Sequence, residues 1–315
     1  NATRLAAQMA GFKVQKLLAE PTAAAIAYGV DNLKTGEAKT VLIYDFGGGT
    51  YDLSILNIVD GQYMEAGTGG DRWLGGDDID RKLQEIVVKK VEEQYKLSSL
   101  EACIEALPAN KKHKFEAEFR IQAEQAKIQL SSTSTANILI DNLLEDDNGD
   151  TIDIDVTITR KEFENSIKPF VQRTIDLIEQ LLNEVGYDIT MIDSILLVGG
   201  SSCIPLVKNM LIDKYGTEKI KVSEKPMLAV AEGAGILAHR LGDEYEAPID
   251  SVATIGDISY SANHSYFIEL QSEDGSTKLE KIIEKQMPLP ITISRVFRTT
   301  VENQKIVQVL IHADV

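Results

Sequence analysis

Three consecutive glycines between two strand-like runs constrain this chain's fold more than any other feature. Asp45-Phe46-Gly47-Gly48-Gly49-Thr50-Tyr51-Asp52 is preceded by the apolar run Thr40 to Tyr44 and followed by Leu53 to Val59. Both runs are rich in the β-branched and aromatic residues that fit a pleated, half-buried surface. With no Cβ in the way, the turn between them is tight and its backbone can approach a ligand closely. Consecutive backbone N–H groups in such a turn form a nest suited to phosphate oxygens. Thr50 adds a hydroxyl donor. Asp45 and Asp52 flank the turn and can hold a magnesium ion, directly or through its waters. A plain glycine-rich hairpin with solvated aspartates uses the same residues.

A second feature weighs toward the nucleotide. Ser194 to Val198 is a buried-strand run, followed at once by Gly199-Gly200-Ser201-Ser202. Ile204 to Tyr215 then reads as an amphipathic helix, with Pro205 tolerated in its first turn. Strand, glycine turn and helix together bring a nucleotide to a helix N-terminus. The chain has neither a GxxxxGK[ST] nor a GxGxxG motif, so it carries no P-loop and no dinucleotide fingerprint.

Five segments in one order then carry a resemblance. They are Glu20-Pro21-Thr22-Ala23-Ala24-Ala25-Ile26-Ala27-Tyr28-Gly29, the triple-glycine turn, Leu74-Gly75-Gly76-Asp77-Asp78-Ile79-Asp80, Glu124-Gln125-Ala126-Lys127 with Leu130-Ser131-Ser132, and Val198-Gly199-Gly200-Ser201 with Ala229-Val230-Ala231-Glu232-Gly233-Ala234. In this register the chain resembles the 70 kDa heat-shock chaperones, the DnaK-like family, over residues 1 to about 243. The resemblance implies an α/β fold: an actin-like (ribonuclease H-like) ATPase lobe with an α+β outer subdomain, followed by the start of a β-sandwich. It implies ATP or ADP with Mg²⁺ as ligands. It implies unfolded peptide clients, a J-domain co-chaperone and a nucleotide-exchange factor as partners, and a cytoplasmic location.

The resemblance also implies residue roles. Asp45 would hold the magnesium shell and help orient the attacking water, with Glu20 near the metal or water and Asp52 supporting the same network. Gly47, Gly48 and Thr50 would contact the phosphates. Gly199, Gly200 and Ser201 would border the adenosine, and Glu124, Lys127 and Ser131 would grip its ribose and base. Taken alone, those last three read as a solvated helix face with an i,i+3 charge pair. Two departures lie in this pocket: Cys203 stands where the family usually has arginine, and Met227 where it usually has aspartate. Arg72-Trp73 replaces the usual threonine and histidine.

Composition narrows the partners. A formal net charge of −17 argues against nucleic acid or an anionic membrane. Two cysteines, Cys103 and Cys203, give no disulfide framework and point to a reducing compartment. No apolar run approaches a bilayer span.

Along the chain, residues 1–33 read as a remnant of the first ATPase lobe, with a helix to Gly11, a short strand Val14 to Leu18 and a helix over Pro21 to Tyr28. Residues 34–243 form the second lobe, with an outer subdomain over about 76–158. There Asp80 to Tyr95 and Lys111 to Leu130 have helical periodicity, and Ala136 to Leu143 and Thr151 to Thr159 alternate as strands. Thr159 to Val185 reads as one long helix ending at Gly186. Leu228 to Leu241 closes the lobe, its small residues permitting close approach to the nucleotide. Residues 244–257 are the linker, and 258–315 a partial peptide-binding β domain with strands at Ser265 to Leu270, Pro290 to Arg295 and Lys305 to His312. The reading is a fragment lacking the N-terminal half of the ATPase core and most of the peptide-binding domain. The linker match Val252-Ala253-Thr254-Ile255-Gly256-Asp257 lacks the family's run of leucines, which weakens docking. An actin-like sugar kinase and a non-enzymatic actin-like scaffold are the alternatives. The β-rich tail and the Glu20 to Ala25 run argue against the kinase.

Overall fold

The computed structural model describes residues 2–29, 37–145, 149–223, 225–242, 258–271, 276–299, 305 and 308–314. The helices α1 (Ala2–Met9) and α2 (Glu20–Ala27) come first. Three antiparallel strands follow: β1 (Ala38–Phe46), β2 (Tyr51–Val59) and β3 (Gln62–Asp71). The outer subdomain comprises α3 (Gly76–Tyr95), α4 (Leu100–Glu105), α5 (Ala109–Ser132) and the hairpin of β4 (Thr135–Glu145) with β5 (Thr151–Thr159). The chain returns through α6 (Arg160–Val185), β6 (Ser194–Val198), α7 (Pro205–Tyr215), β7 (Ile220–Val222) and α8 (Ala229–Arg240). Then come β8 (Ile258–Ser261), β9 (Tyr266–Gln271), β10 (Thr277–Ile283), β11 (Pro288–Leu289) and β12 (Ile311–Ala313).

The centre is a seven-stranded mixed sheet of order β11-β8-β3-β2-β1-β6-β7. β1 sits inside it, antiparallel to β2 and parallel to β6. The period-two alternation of a strand sends successive side chains to opposite faces. Leu42, Tyr44 and Phe46 join a core with residues of α3, α5, α6 and α7, while Val41 and Ile43 join a second core with residues of α2 and α8. Burial on both faces explains why Val41 to Tyr44 reads as an unbroken apolar run rather than a clean alternation.

α6 starts where the sequence places it. Thr159 caps it, accepting from the Glu162 N–H while the Glu162 carboxylate accepts from the Thr159 N–H, and Gly186 ends it. The helix lies across the sheet and buries Thr174 against two tyrosines. The Tyr44 hydroxyl is 2.8 Å from Thr174 Oγ1, and the Tyr51 hydroxyl donates to the Thr174 carbonyl at 3.0 Å. Tyr44, Phe46 and Tyr51 stack edge to face at the root of the glycine turn.

Three local readings are corrected. Val14 to Leu18 is extended but is not a strand, and neither is Pro290 to Arg295. An alternating run becomes a strand only when a neighbour satisfies its backbone groups, and neither segment has such a neighbour among the described residues. Of Lys305 to His312, Ile306 and Val307 lie outside the described residues, and the described part is a strand only in β12. Of the small residues in Leu228 to Leu241, Gly233 of α8 lies against the backbone of Ala23 in α2. β8 and β10 have no counterpart in the sequence reading. β8 forms only by lying parallel to β3, and the charges of Thr277 to Ile283 mask its strand character.

The tail beyond residue 258 is fastened to the sheet. Glu65 of β3 accepts from the Ser261 N–H at 3.0 Å and its hydroxyl at 2.9 Å. Lys285 pairs with Glu184 of α6 at 2.8 Å, and the Ala19 N–H donates to the Tyr260 hydroxyl at 3.3 Å. β9, β10 and β12 form a separate small sheet. The proposed linker, 244–257, lies outside the described residues.

The α2–α8 crossing generates a test. A Cβ at residue 233 would overlap the Ala23 carbonyl oxygen, a backbone atom that cannot rotate away. Gly233→Ala is expected to destabilise the chain by about 1–3 kcal/mol despite its better helix propensity. Urea denaturation measures this; an unchanged or raised midpoint would mean the helices do not cross there.

Candidate functional site

The register of the β1–β2 hairpin places Phe46 opposite Tyr51 and Asp45 opposite Asp52. The turn closes with the Gly47 N–H donating to the Thr50 carbonyl at 3.0 Å, and Gly48, Gly49 and Thr50 stay exposed. The Thr50 hydroxyl donates to the Asp52 carboxylate at 2.6 Å. Asp45 is half-buried, and burial pushes its carboxyl up to about 6, with the Asp52 and Glu20 charges adding to the push. Glu20 opens α2. Glu20, Asp45 and Asp52 line one cleft of about 1050 Å³ together with Arg72, Trp73, Arg173 and the tail residues His264 and Lys285.

Gly47, Gly48, Thr50 and Gly199 to Ser201 are not among that cleft's walls. They gather beside it, where the turn meets the first turn of α3. The Gly47 carbonyl accepts from the Gly76 N–H at 3.0 Å, and the Gly48 carbonyl from the Asp77 N–H at 2.8 Å. Two of the orphan donors of α3 are thereby satisfied by the glycine turn itself. The Ser201 hydroxyl, buried, donates to the same Gly47 carbonyl at 2.8 Å. Ser201 is thus tied beneath the turn rather than presented as a free donor. Gly199 has φ +83°, and a side chain there would meet Asp45 Oδ1 at 2.6 Å. The second glycine motif therefore packs directly on the first.

The three α5 residues divide. Spaced i, i+3 and i+7, they share one side of the helix. Glu124 is exposed. The Ser131 hydroxyl donates to the Lys127 carbonyl at 3.2 Å. Lys127 turns inward: its ammonium donates to the Gly76 carbonyl at 3.3 Å and to Asp80 at 2.9 Å. A Cβ on Gly76 would meet Ser201 Oγ at 2.9 Å, Lys127 Nζ at 3.1 Å and Gly48 Cα at 3.3 Å. Residues from four separate stretches of the chain thus converge on one point. The sequence reading missed Asp80 as the partner of Lys127. It stands in the quoted Leu74 to Asp80 motif, but nothing in that motif signals a partner 47 residues away.

The departures flank this region. The Met227 side chain packs on Gly200 and is 78% exposed, and Cys203 is an exposed free thiol that burial of its sulfur pushes up. Trp73 is 80% exposed on the cleft. Asp71, beside it, pairs with Arg173 at 3.6 Å.

Hard oxygen donors suit Mg²⁺, which keeps several waters and takes only one or two carboxylates. No group of three or more metal-ligating side chains is drawn together among the described residues. Asp45 and its neighbours fit a hydrated ion. Burial raises the Asp45 carboxyl, with the Asp52 and Glu20 charges adding to it, and a bound cation would offset that cost.

Comparison with known proteins places this arrangement. The model of the family described as Hsp70 protein matches residues 1–314, and the chain belongs to that family. Its fold is an actin-like α/β ATPase lobe carrying an α+β outer subdomain and the start of a sandwich. It is 33% identical over 311 residues to the chaperone protein DnaK of Mycoplasmopsis agalactiae, an alignment covering 99% of this chain and 48% of that protein. It is 32% identical over 304 residues to the chaperone protein DnaK of Mycoplasma mobile, covering 96% and 46%. The chain spans about half the length of these relatives. No helix among the described residues is long and apolar enough to cross a membrane.

The raised Asp45 carboxyl has a sign that can be measured. Its folded value of about 6 lies above the ordinary 3.8, so the folded chain binds that proton more tightly than the unfolded chain. Ionised Asp45 therefore costs stability above its folded value, and the cost fades as pH falls from about 6 toward 3.8. Asp45→Asn is expected to raise the melting temperature of metal-free, nucleotide-free chain near pH 8, with the gain vanishing near pH 4. Equal melting temperatures at both pH values would show that Asp45 is not crowded by its neighbours.

Proposed function

We propose that the protein hydrolyses ATP to ADP and couples this cycle to the binding of unfolded peptide segments. The observation that carries the reading is the convergence just described. The exposed N–H groups of the glycine turn lie next to an acidic cleft on one side and the Lys127–Ser201 junction on the other. Gly47, Gly48 and Thr50 would bind the phosphates. Gly199 and Gly200 would border the adenosine with Ser201 supporting the turn beneath, and Glu124, Lys127 and Ser131 would face the ribose and base. Asp45 would hold hydrated Mg²⁺, with Glu20 and Asp52 in its outer shell. When bound, the ion neutralises phosphate charge.

This chain's part is placement and electrostatics, which dominate phosphoryl transfer. Asp45, at the end of β1, orients the attacking water and accepts its hydrogen bond, and Glu20 does the same from α2. The stacked aromatics at the root of the turn brace the hairpin that carries Asp45. Met227 and Cys203 replace polar groups near the base, so affinity for the purine rests on apolar contact more than on charge. The segment boundaries at 33, 243 and 257, a J-domain co-chaperone, a nucleotide-exchange factor and a cytoplasmic location belong to the same proposal. The relatives' name as chaperones supports it.

The test is steady-state hydrolysis of Mg-ATP by the protein and its Asp45→Asn variant. The turnover number is expected to fall by roughly a hundredfold or more. Nucleotide affinity should fall far less, since the glycine N–H contacts survive. Unchanged turnover would remove Asp45 from the mechanism, and phosphorylation of a sugar in place of hydrolysis would move the chain to kinase chemistry.

A further inference from the structure

We infer that Asp80 is a positioning residue: its carboxylate holds the Lys127 ammonium at the junction of the glycine turn, α3 and α5, where that ammonium meets the sugar end of a bound nucleotide. The inference rests on the nucleotide reading above and deepens it.

Lys127 has a flexible four-carbon stem and three rotatable donors, so its ammonium has no fixed place unless something holds it. Here it is held. The side chains of Lys127 and Asp80 are 13% and 9% exposed, against 33% and 32% for the Lys285–Glu184 pair. Lys127 Nζ lies 2.9 Å from both Asp80 oxygens. It meets the geometry of a hydrogen bond only at Oδ2, which leaves Oδ1 buried without one. Burial pushes the Asp80 carboxyl up, and Lys127 pulls it down. A buried pair with an unused acceptor is a poor device for stability, because desolvation offsets much of the attraction. It is a good device for fixing a cation in one place while allowing it a short swing between two oxygens.

What the pair fixes is a distance. The first N–H groups of α3 bind the carbonyls of Gly47 and Gly48. One turn later the same helix presents Asp80 to Lys127. α3 therefore sets the separation between the phosphate-binding turn and the Lys127 ammonium. Gly76 lies between them, with no room for a side chain beside Lys127 Nζ and Ser201 Oγ.

The test uses the 315-residue chain, its Asp80→Asn, Asp80→Glu and Lys127→Met variants, and the double variant D80N/K127M. Calorimetric titration with Mg-ADP and with Mg-pyrophosphate separates the sugar end from the phosphate end. Asp80→Asn is expected to weaken ADP about tenfold and leave pyrophosphate within about twofold. Asp80→Glu should recover part of the loss, and D80N/K127M should be no weaker than Lys127→Met alone. A second readout needs no nucleotide. Limited acetylation should modify Lys127 far more slowly than exposed Lys89 in the wild-type chain, and Asp80→Asn should abolish that protection. Equal weakening of ADP and pyrophosphate, multiplicative effects of the two substitutions, or unprotected Lys127 in the wild type would each overturn the proposal. A wild-type chain that binds ADP no more tightly than pyrophosphate would remove the adenosine reading of α5 and the proposal with it. A wild type that prefers ADP, with an indifferent Asp80→Asn, would remove the proposal alone.

Discussion

The carbonyls of Gly47 and Gly48 hold the structure's functional half together. Both point at the start of α3, where helix N–H groups have no partner of their own, and Gly47 also receives the Ser201 hydroxyl. A glycine turn free in solvent would sample many conformations, because glycine loses more backbone entropy on ordering than any other residue. Pinned by three donors, this one has a fixed shape with Gly48, Gly49 and Thr50 exposed. α3 is in turn oriented by the turn it caps, and the outer subdomain is carried with it. The pairing of β1 with β2 and with β6 sets where the two glycine motifs lie, and these bonds tie the β1–β2 turn to α3 and to Ser201.

That arrangement sits on an apolar base of unusual completeness. β1 buries both faces, and the Tyr44, Phe46 and Tyr51 rings fill the space directly under the turn. The two tyrosine hydroxyls find partners on Thr174 in α6, so the aromatic cluster carries no unmet polar group at those positions. Rigidity below and charge above are linked. The same burial that locks Asp45 in place raises its carboxyl and makes it want a cation. α6 extends from this cluster to Glu184, where the tail is fastened through Lys285. One continuous helix thus touches both the floor of the cleft and the β-rich segment.

Much of the fold was legible because its signals are local. Apolar, β-branched and aromatic runs marked β1, β2 and β6, alternation marked β4 and β5, and helical periodicity marked α3, α5 and α6 to within a few residues. The capping threonine and terminal glycine of α6 are short-range chemistry. Extended segments were read poorly for the converse reason. Val14 to Leu18 and Pro290 to Arg295 have strand-like composition, yet a strand exists only through a partner. β8 is a strand because β3 offers an edge to it, and β3 lies almost two hundred residues earlier in the chain.

For the site, the division follows the same line. The sequence alone supplied the residue types proposed to face a nucleotide: glycines in a tight turn and carboxylates beside them, Lys127 being added by the family resemblance. Those are properties of side-chain chemistry and spacing, and they survive in one dimension. The tertiary structure alone decided which of these groups are free and which are committed. Ser201 is drawn under the turn, Lys127 is taken by Asp80, and Gly233 lies at a helix crossing. Commitment of a polar group depends on which distant atom lies within hydrogen-bonding distance, and that is set by packing across three dimensions, which no local pattern encodes.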